Sequence, residues 1–251
     1  MKFTWLGGPS FVLELGPFRL VGDPVLSDRF ELPGAGTVSR ATAAPSPDAF
    51  GGVADLTLVT SLRADHFDPA VLERRSAGTV LVPASTKLAH ARVLSWGETL
   101  RLEKSGMTLS IVAIAAGAST GSNERDNGYF LRLEGGAQPT TAYITGDTRF
   151  SEATRELQQT HGYANLLVLY LGAERAVDGS TRSADAKEAM QIVYRMQPNA
   201  IAAVHHTTFS HYQEAIEPLL EKIALTIYEK RLRRLQEGES FEKATSETPS
   251  G

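Results

Sequence analysis

Two β-sheets packed face to face, with helices on the outside, is the architecture this 251-residue sequence predicts. Three observations carry it. The first half is a succession of short apolar runs punctuated by Gly, Pro and Asn, the signature of strands joined by tight turns. The second half alternates helical and strand periodicity. No GxGxxG or Walker A sequence follows any of the strands, so a doubly wound nucleotide-binding sheet has no motif behind it.

Taken in order, residues 3–6, 10–15 and 18–22 read as three strands, divided by Gly7-Gly8-Pro9 and by Gly16-Pro17. From Asp23 to Gly52 the chain is rich in Pro, Ala, Ser and Gly, which predicts a long surface loop. Strands follow at 54–60, 79–82, 99–102, 107–114, 128–133 and 140–145, with the segment 115–127 expected to help shape a pocket. Residues 151–160 read as a helix and 166–171 as a buried strand. Residues 183–196 form an amphipathic helix, with Ala186, Ala189, Met190 and Val193 on one face and Ser183 as N-cap. Residues 200–204 are another strand, and a last helix is expected from beyond His211 to about Leu235.

A hydrophobic share of 42%, a charged share of 22% and 22 glycines describe an ordinary globular chain. The length suits one domain, placed at residues 1–236, and the polar remainder, 237–251, is expected to be a flexible tail. There are 0 cysteines, which excludes disulfides, thiolate metal sites and cysteine nucleophiles. Any metal must therefore be held by His, Asp or Glu. No stretch reaches ~18 uninterrupted apolar residues and the N-terminus lacks a leader pattern, so no membrane span is expected and a cytoplasmic protein is the default. The net charge is −4, and the one basic run, Lys230-Arg231-Leu232-Arg233-Arg234, falls where the last helix should end. Nucleic-acid binding through a broad basic face is not expected.

Polar residues gather just beyond the predicted strand ends: Asp23 in VGDP, Asp65 and His66 in RADHFD, Asp147 in ITGDTRF, and His205, His206 and His211 in AVHHTTFSHY. Convergence of strand ends on one edge of a sandwich is the usual geometry of a site. Imidazole and carboxylate are the ligands a cysteine-free protein offers to zinc, manganese or iron, and such a metal acidifies a water for nucleophilic attack. Each residue also has an ordinary structural reading. Asp65 could cap a helix starting near Pro69, His66 could be a structural histidine, Asp147 could be a turn residue, and Arg63 could point into water.

These segments resemble a known family. WLGGPSFVLELGPFRLVGDPVLSDR, LVTSLRADHFD, NGYFLRLEGG with TTAYITGDTRF, and AVHHTTFSHY are similar, in this order, to the opening, the H-x-H-x-D-H motif, the bridging-aspartate strands and the closing histidine segment of metallo-β-lactamase-fold hydrolases. The lactonase-like and phospholipase-D-like branch is the one resembled. The resemblance spans about residues 3–220 and implies an α/β fold of the αββα sandwich type, with a metal site along one edge of the sheets.

Carried over position by position, the pattern is incomplete. Binuclear members place histidines where this chain has Ser61 and Arg63, and a third near Gly117. No histidine stands between His90 and His161. Gly8 stands where members often have another. The ligands of the second metal, Asp65, His66, Asp147 and His205, are all present. The resemblance thus implies a mononuclear hydrolase holding one zinc or manganese ion. Asp147 would act as ligand or base, and His211 or Arg63 would assist a developing anion. The substrate would be a small ester, lactone or phosphodiester, anionic in character. Arg63, near a vacated position, could pair with Asp147 or with that substrate. Loss of the histidines equally fits a metal-free, catalytically degenerate member that serves as a binding or scaffold protein.

Overall fold

The computed structural model describes residues 1–70, 78–84, 91–116 and 126–243. Their strands are β1 (Lys2–Gly7), β2 (Ser10–Leu15), β3 (Phe18–Gly22), β4 (Arg29–Leu32), β5 (Gly36–Ser39), β6 (Leu56–Leu58), β7 (Thr79–Val82), β8 (Ala91–Val93), β9 (Thr99–Lys104), β10 (Met107–Ala116), β11 (Asp126–Glu134), β12 (Thr140–Ile144), β13 (Leu166–Tyr170), β14 (Ala200–Val204), β15 (Leu232–Arg233) and β16 (Ser240–Glu242). The helices are α1 (Glu152–His161), α2 (Ala186–Met196) and α3 (Glu217–Ile223).

Two seven-stranded sheets form the body, in the orders β16-β1-β2-β3-β6-β7-β8 and β15-β14-β13-β12-β11-β10-β9. Each mixes antiparallel hairpins with a parallel half: β3, β6, β7 and β8 run parallel in the first, and β12, β13, β14 and β15 in the second. This is the mixed α/β sandwich the sequence predicts.

The core lies between the sheets. Phe3, Phe11, Leu13, Leu20 and Leu56 of one face pack against Leu109, Ile111, Tyr129, Leu131, Leu166 and Val168 of the other. Strand β13 shows why its sequence, LLVLY, carries no polar alternation: Leu166, Val168 and Tyr170 enter this core, while Leu167 and Leu169 pack beneath the helices. Ala189, Ile192 and Val193 of α2, Leu157 of α1 and Leu219 of α3 complete that outer layer. Each such aliphatic side chain gains about 1.5–3 kcal/mol on burial, so the helices are held by packing rather than by propensity. On the outer face of the first sheet, the described cover is the 3-10 turn Pro47–Phe50, with Phe50 buried, and the turn that carries Phe67.

Several expectations need correction. The loop predicted from Asp23 to Gly52 contains the β4–β5 hairpin and the 3-10 turn. The N-cap of α2 is Asp185, whose side chain accepts from the Glu188 amide at 2.8 Å, and not Ser183. The last helix is short: α3 ends at Ile223, Leu225 takes a left-handed φ of 64°, and the basic run lies in a 3-10 turn and β15. Leu225 and Ile227 are 99% and 71% exposed, so these apolar residues do not hold a longer helix against the core. Part of the expected tail is structured, because β16 pairs antiparallel with β1 through Phe3 and Phe241. The helix expected from Pro69, beyond Ala70, and the position near Gly117 lie outside the described residues.

No helix among the described residues is long and apolar enough to cross a membrane.

Candidate metal centre

Every candidate side chain leaves the fold at the carboxyl end of a parallel strand. Asp23 follows β3, Thr60 to His66 follow β6, Asp147 follows β12, and His205 follows β14. Ends of parallel strands are where such sheets bind ligands, since the chain there turns without having to continue a ladder.

Local backbone chemistry fixes each one. The amides of His66 and Phe67 both donate to the Arg63 carbonyl, at 3.0 and 2.8 Å, which curls residues 63–67 into a turn. Gly146 adopts φ 58°, and a Cβ there would lie 2.5 Å from the Asn127 carbonyl oxygen, so only glycine can present Asp147 at this point. His205 itself has φ 60°, a conformation costly for a non-glycine residue, and its amide donates to the Gly8 carbonyl at 2.8 Å.

The structure brings Arg63, Asp65, His66, Asp147, His205 and His211 together. Nη2 of Arg63 lies 2.5 Å from Asp147 Oδ2, 3.1 Å from Asp65 Oδ2 and 3.1 Å from His66 Nε2. His211 Nε2 is 3.1 Å from Asp65 Oδ2. Of the two readings open for Arg63, the structure gives the ion pair with Asp147; its side chain is only 10% exposed. Asp65 points to Arg63 and His211 rather than capping a helix.

Second contacts orient the imidazoles. His205 Nδ1 donates to the Leu171 carbonyl at 2.9 Å, since a carbonyl can only accept; in the neutral ring this leaves Nε2 as the acceptor. His66 Nδ1 faces Asp23 Oδ2 at 2.9 Å, and its Nε2 lies 3.1 Å from Arg63 Nη2 and 3.3 Å from Asp147 Oδ2. Asp23 is a buried hub that also accepts from the Thr60 amide at 2.6 Å, the Thr60 hydroxyl at 2.5 Å and the Tyr170 hydroxyl at 2.8 Å.

The electrostatics follow from burial and from Arg63. Burial alone would raise the pKa of Asp65 and Asp147, but Arg63 and His66 outweigh it and hold both carboxyls far below the usual range. Burial opposes the charge on Arg63, yet Asp65, Asp147 and Glu174 more than compensate. Glu174 is pushed up to about 7 by burial, which Arg63 only partly offsets. For His66 burial opposes the charge, but Asp147, Asp65 and Asp23 outweigh it and hold the ring well above the ordinary imidazole range.

Sequence reasoning missed Glu174 and Tyr212. Glu174 follows β13, as the other ligands follow their strands, and its Oε2 sits 2.7 Å from Arg63 Nη2. Its backbone is held by Ser183, the residue expected to cap α2, whose hydroxyl accepts from the Glu174 amide at 2.9 Å. The shared position at a strand end was the one available signal. Tyr212 packs its ring 4.4 Å from that of His205, with a buried hydroxyl lacking a protein partner.

Ligand atoms of Asp65, His66, Glu174 and His205 all lie within 4.8 Å of one another. Among the described residues His205 Nε2 and Asp147 Oδ1 are buried with no hydrogen-bond partner. Buried polar atoms are normally satisfied, and a cation held here would give both of these acceptors a partner. The donor set, two imidazole nitrogens and carboxylate oxygens, fits a divalent metal ion.

Residues 2–205 match the family model described as the beta-lactamase superfamily domain. The chain belongs to that superfamily. It is 24% identical, over 259 aligned positions covering 97% of this chain and 100% of the other, to a UPF0173 metal-dependent hydrolase of Methanopyrus kandleri. Among solved structures it resembles an isothiocyanate hydrolase from Delia radicum gut bacteria, with TM-score 0.76, 17% identity and coverage of 97% and 99% of the two chains. It also resembles the metallo hydrolase Igni18 from Ignicoccus hospitalis, with TM-score 0.70, 15% identity and coverage of 97% and 99%.

Proposed function

We propose that this chain is a metal-dependent hydrolase with a single cation site. The observation that carries this reading is the buried quartet of Asp65, His66, Glu174 and His205, with His205 Nε2 left without a partner. The names of the similar proteins, metal-dependent and metallo hydrolases, support it. Asp65, His66, His205 and Glu174 would hold the ion, with Asp147 beside them as a further ligand or as base. Zinc and manganese both suit this mixture of imidazole and carboxylate.

When bound, such an ion supplies Lewis acidity and lowers the pKa of a water molecule. The protein's own groups do the rest. Asp23, through His66 Nδ1, and the Leu171 carbonyl, through His205 Nδ1, keep both imidazoles aimed inward. Asp147 Oδ1, buried and without a hydrogen-bond partner among the described residues, would join the ion's ligands or accept a hydrogen bond from an attacking water. Arg63 and His211 border the same space and would stabilise negative charge developing on the substrate oxygen. An ester, lactone or phosphodiester is the substrate class this constellation suits, and the cationic Arg63 favours a small anionic molecule.

A second reading has its own observation. Arg63 Nη2 lies among the ligand atoms themselves, where it already neutralises them, as it would in a metal-free binding protein.

Elemental analysis of protein purified without added metal or chelator, followed by assay on ester, lactone and phosphodiester panels before and after chelation, separates the two. The hydrolase reading expects about one ion per chain and chelator-sensitive turnover, both abolished in Asp65→Ala. Full activity in Asp65→Ala overturns the hydrolase reading as stated, whereas no metal and no turnover in the intact protein favours the second reading.

A further inference from the structure

The cation and the Arg63 guanidinium have claims on the same point. Nη2 is 2.5 Å from Asp147 Oδ2, 2.7 Å from Glu174 Oε2, 3.1 Å from Asp65 Oδ2 and 3.1 Å from His66 Nε2. A single Nη2 has two hydrogens, yet it faces four acceptors from three separate segments of the chain. Arginine that binds one carboxylate as a fork uses two nitrogens on two oxygens. Arg63 makes that fork on Asp65, through Nε to Oδ1 at 3.3 Å and Nη2 to Oδ2 at 3.1 Å, but its Nη2 also faces His66, Asp147 and Glu174, as an ion would, while Nη1 is buried with no hydrogen-bond partner among the described residues.

We infer that Arg63 is a tethered occupant of the cation site, so that guanidinium and divalent ion bind in mutual exclusion. The inference rests on the hydrolase reading for the identity of the ligands. Metal–ligand distances to nitrogen and oxygen are about 2.0–2.2 Å, so an ion held by Asp65, His66 and Glu174 would overlap Nη2. His66 Nε2 serves either the guanidinium or the ion, and the same holds for the carboxylate oxygens facing Nη2.

Neither state satisfies every group. With Arg63 inside, His205 Nε2, Asp147 Oδ1 and Arg63 Nη1 lack partners. With the ion inside, the first two can bind it, and the guanidinium must withdraw along its flexible stem. The two arrangements thus use different parts of one ligand set, and Arg63 lowers the net affinity for metal without being a ligand. Loading becomes dependent on metal concentration over a range where the same ligands without Arg63 would already be saturated.

The experiment measures zinc and manganese affinity of the full chain, stripped by chelator and desalted, by competition with a chromophoric chelator. Arg63→Met removes the charge and keeps the stem. Arg63→Gln keeps a neutral donor for Asp147, and covers the case in which the methionine variant does not fold metal-free. A nearby charge of this kind shifts an ionic equilibrium by about 10- to 1000-fold, so the variants are expected to bind one ion at least about tenfold more tightly than the natural sequence. Equal affinity in all three proteins, or weaker binding in the variants, overturns the exclusion while leaving the hydrolase reading in place. No metal binding in any of the three removes both.

Discussion

Nδ1 of His66 and Oδ2 of Asp23 lie 2.9 Å apart, joining the turn after β6 to the end of β3 across 43 residues of sequence. The same oxygen accepts from the hydroxyls of Thr60 and Tyr170, so Asp23 has more donors around it than a neutral side chain could satisfy. It sets the ring of a proposed metal ligand without itself being among the four residues proposed to hold the ion.

Asp23→Asn is accordingly expected to act twice. An amide in that place turns two hydrogens toward existing donors, and hydrogen bonds to a charged group are worth about 1.5–3 kcal/mol each. Urea unfolding should show a loss of about 3 kcal/mol. Because His66 loses its orienting partner, metal affinity measured by chelator competition should also fall by about 10- to 100-fold, the usual effect of removing an outer partner. Unchanged metal affinity in a destabilised protein would mean that Asp23 serves folding alone.

A second expectation concerns the bend before Asp147. Gly146→Ala must place a Cβ in a left-handed conformation, 2.5 Å from a backbone oxygen of β11. The strain alone costs about 1–3 kcal/mol. Since Asp147 is the next residue, turnover on whichever substrate the panels reveal should fall by more than stability does. Gly136→Ala is the control: its nearest neighbour is 3.7 Å away, and its φ is not in the left-handed range. Its melting temperature should match the natural protein's.

The pH dependence of stability has one tractable contributor outside the metal centre. His161 stacks on Phe130 with ring centroids 5.1 Å apart, and burial lowers its pKa below the ordinary value of 6.5. The unfolded chain therefore takes up this proton before the folded one does. The stability His161 contributes is fully present above pH 6.5 and declines as the pH falls below it. His161→Phe retains the stacking and removes the titration, so the fall in urea midpoint between about pH 7 and pH 5 should be shallower than in the natural sequence. Parallel profiles would show that the histidine titrates alike in both states.

Most strands of the two sheets, though not β8, β15 or β16, were legible because their apolar runs are bounded by Gly, Pro or Asn, as at β2, β3 and β13. What was not legible lacks that contrast. In β8, Ala91, Arg92 and Val93 are mostly exposed, and β4 and β5 pair only with each other on the surface. The apolar residues beyond α3 pointed to a helix, but Leu225 stands in solvent and bends the chain. In the site, Asp65, His66, Asp147 and His205 could be found because each sits next to a recognisable strand or motif. Glu174 could not: its segment, LGAERAV, looks like any polar loop, and the parallel pairing of β13 with β12 and β14 is what carries it to Arg63.

The pairing of β16 with β1 sets a temporal condition on assembly. Lys2, Phe3 and Thr4 form their ladder with Glu242, Phe241 and Ser240, and the Met1 carbonyl receives the Lys243 amide at 2.9 Å. β1 therefore waits for β16, which is translated after every strand between them. Until then the first sheet has a bare edge beside Phe3 and Trp5, and exposed edges are where strands of different molecules join. Truncation before Ser240 would make that transient state permanent, so that it would show itself in self-association before any change in the metal centre.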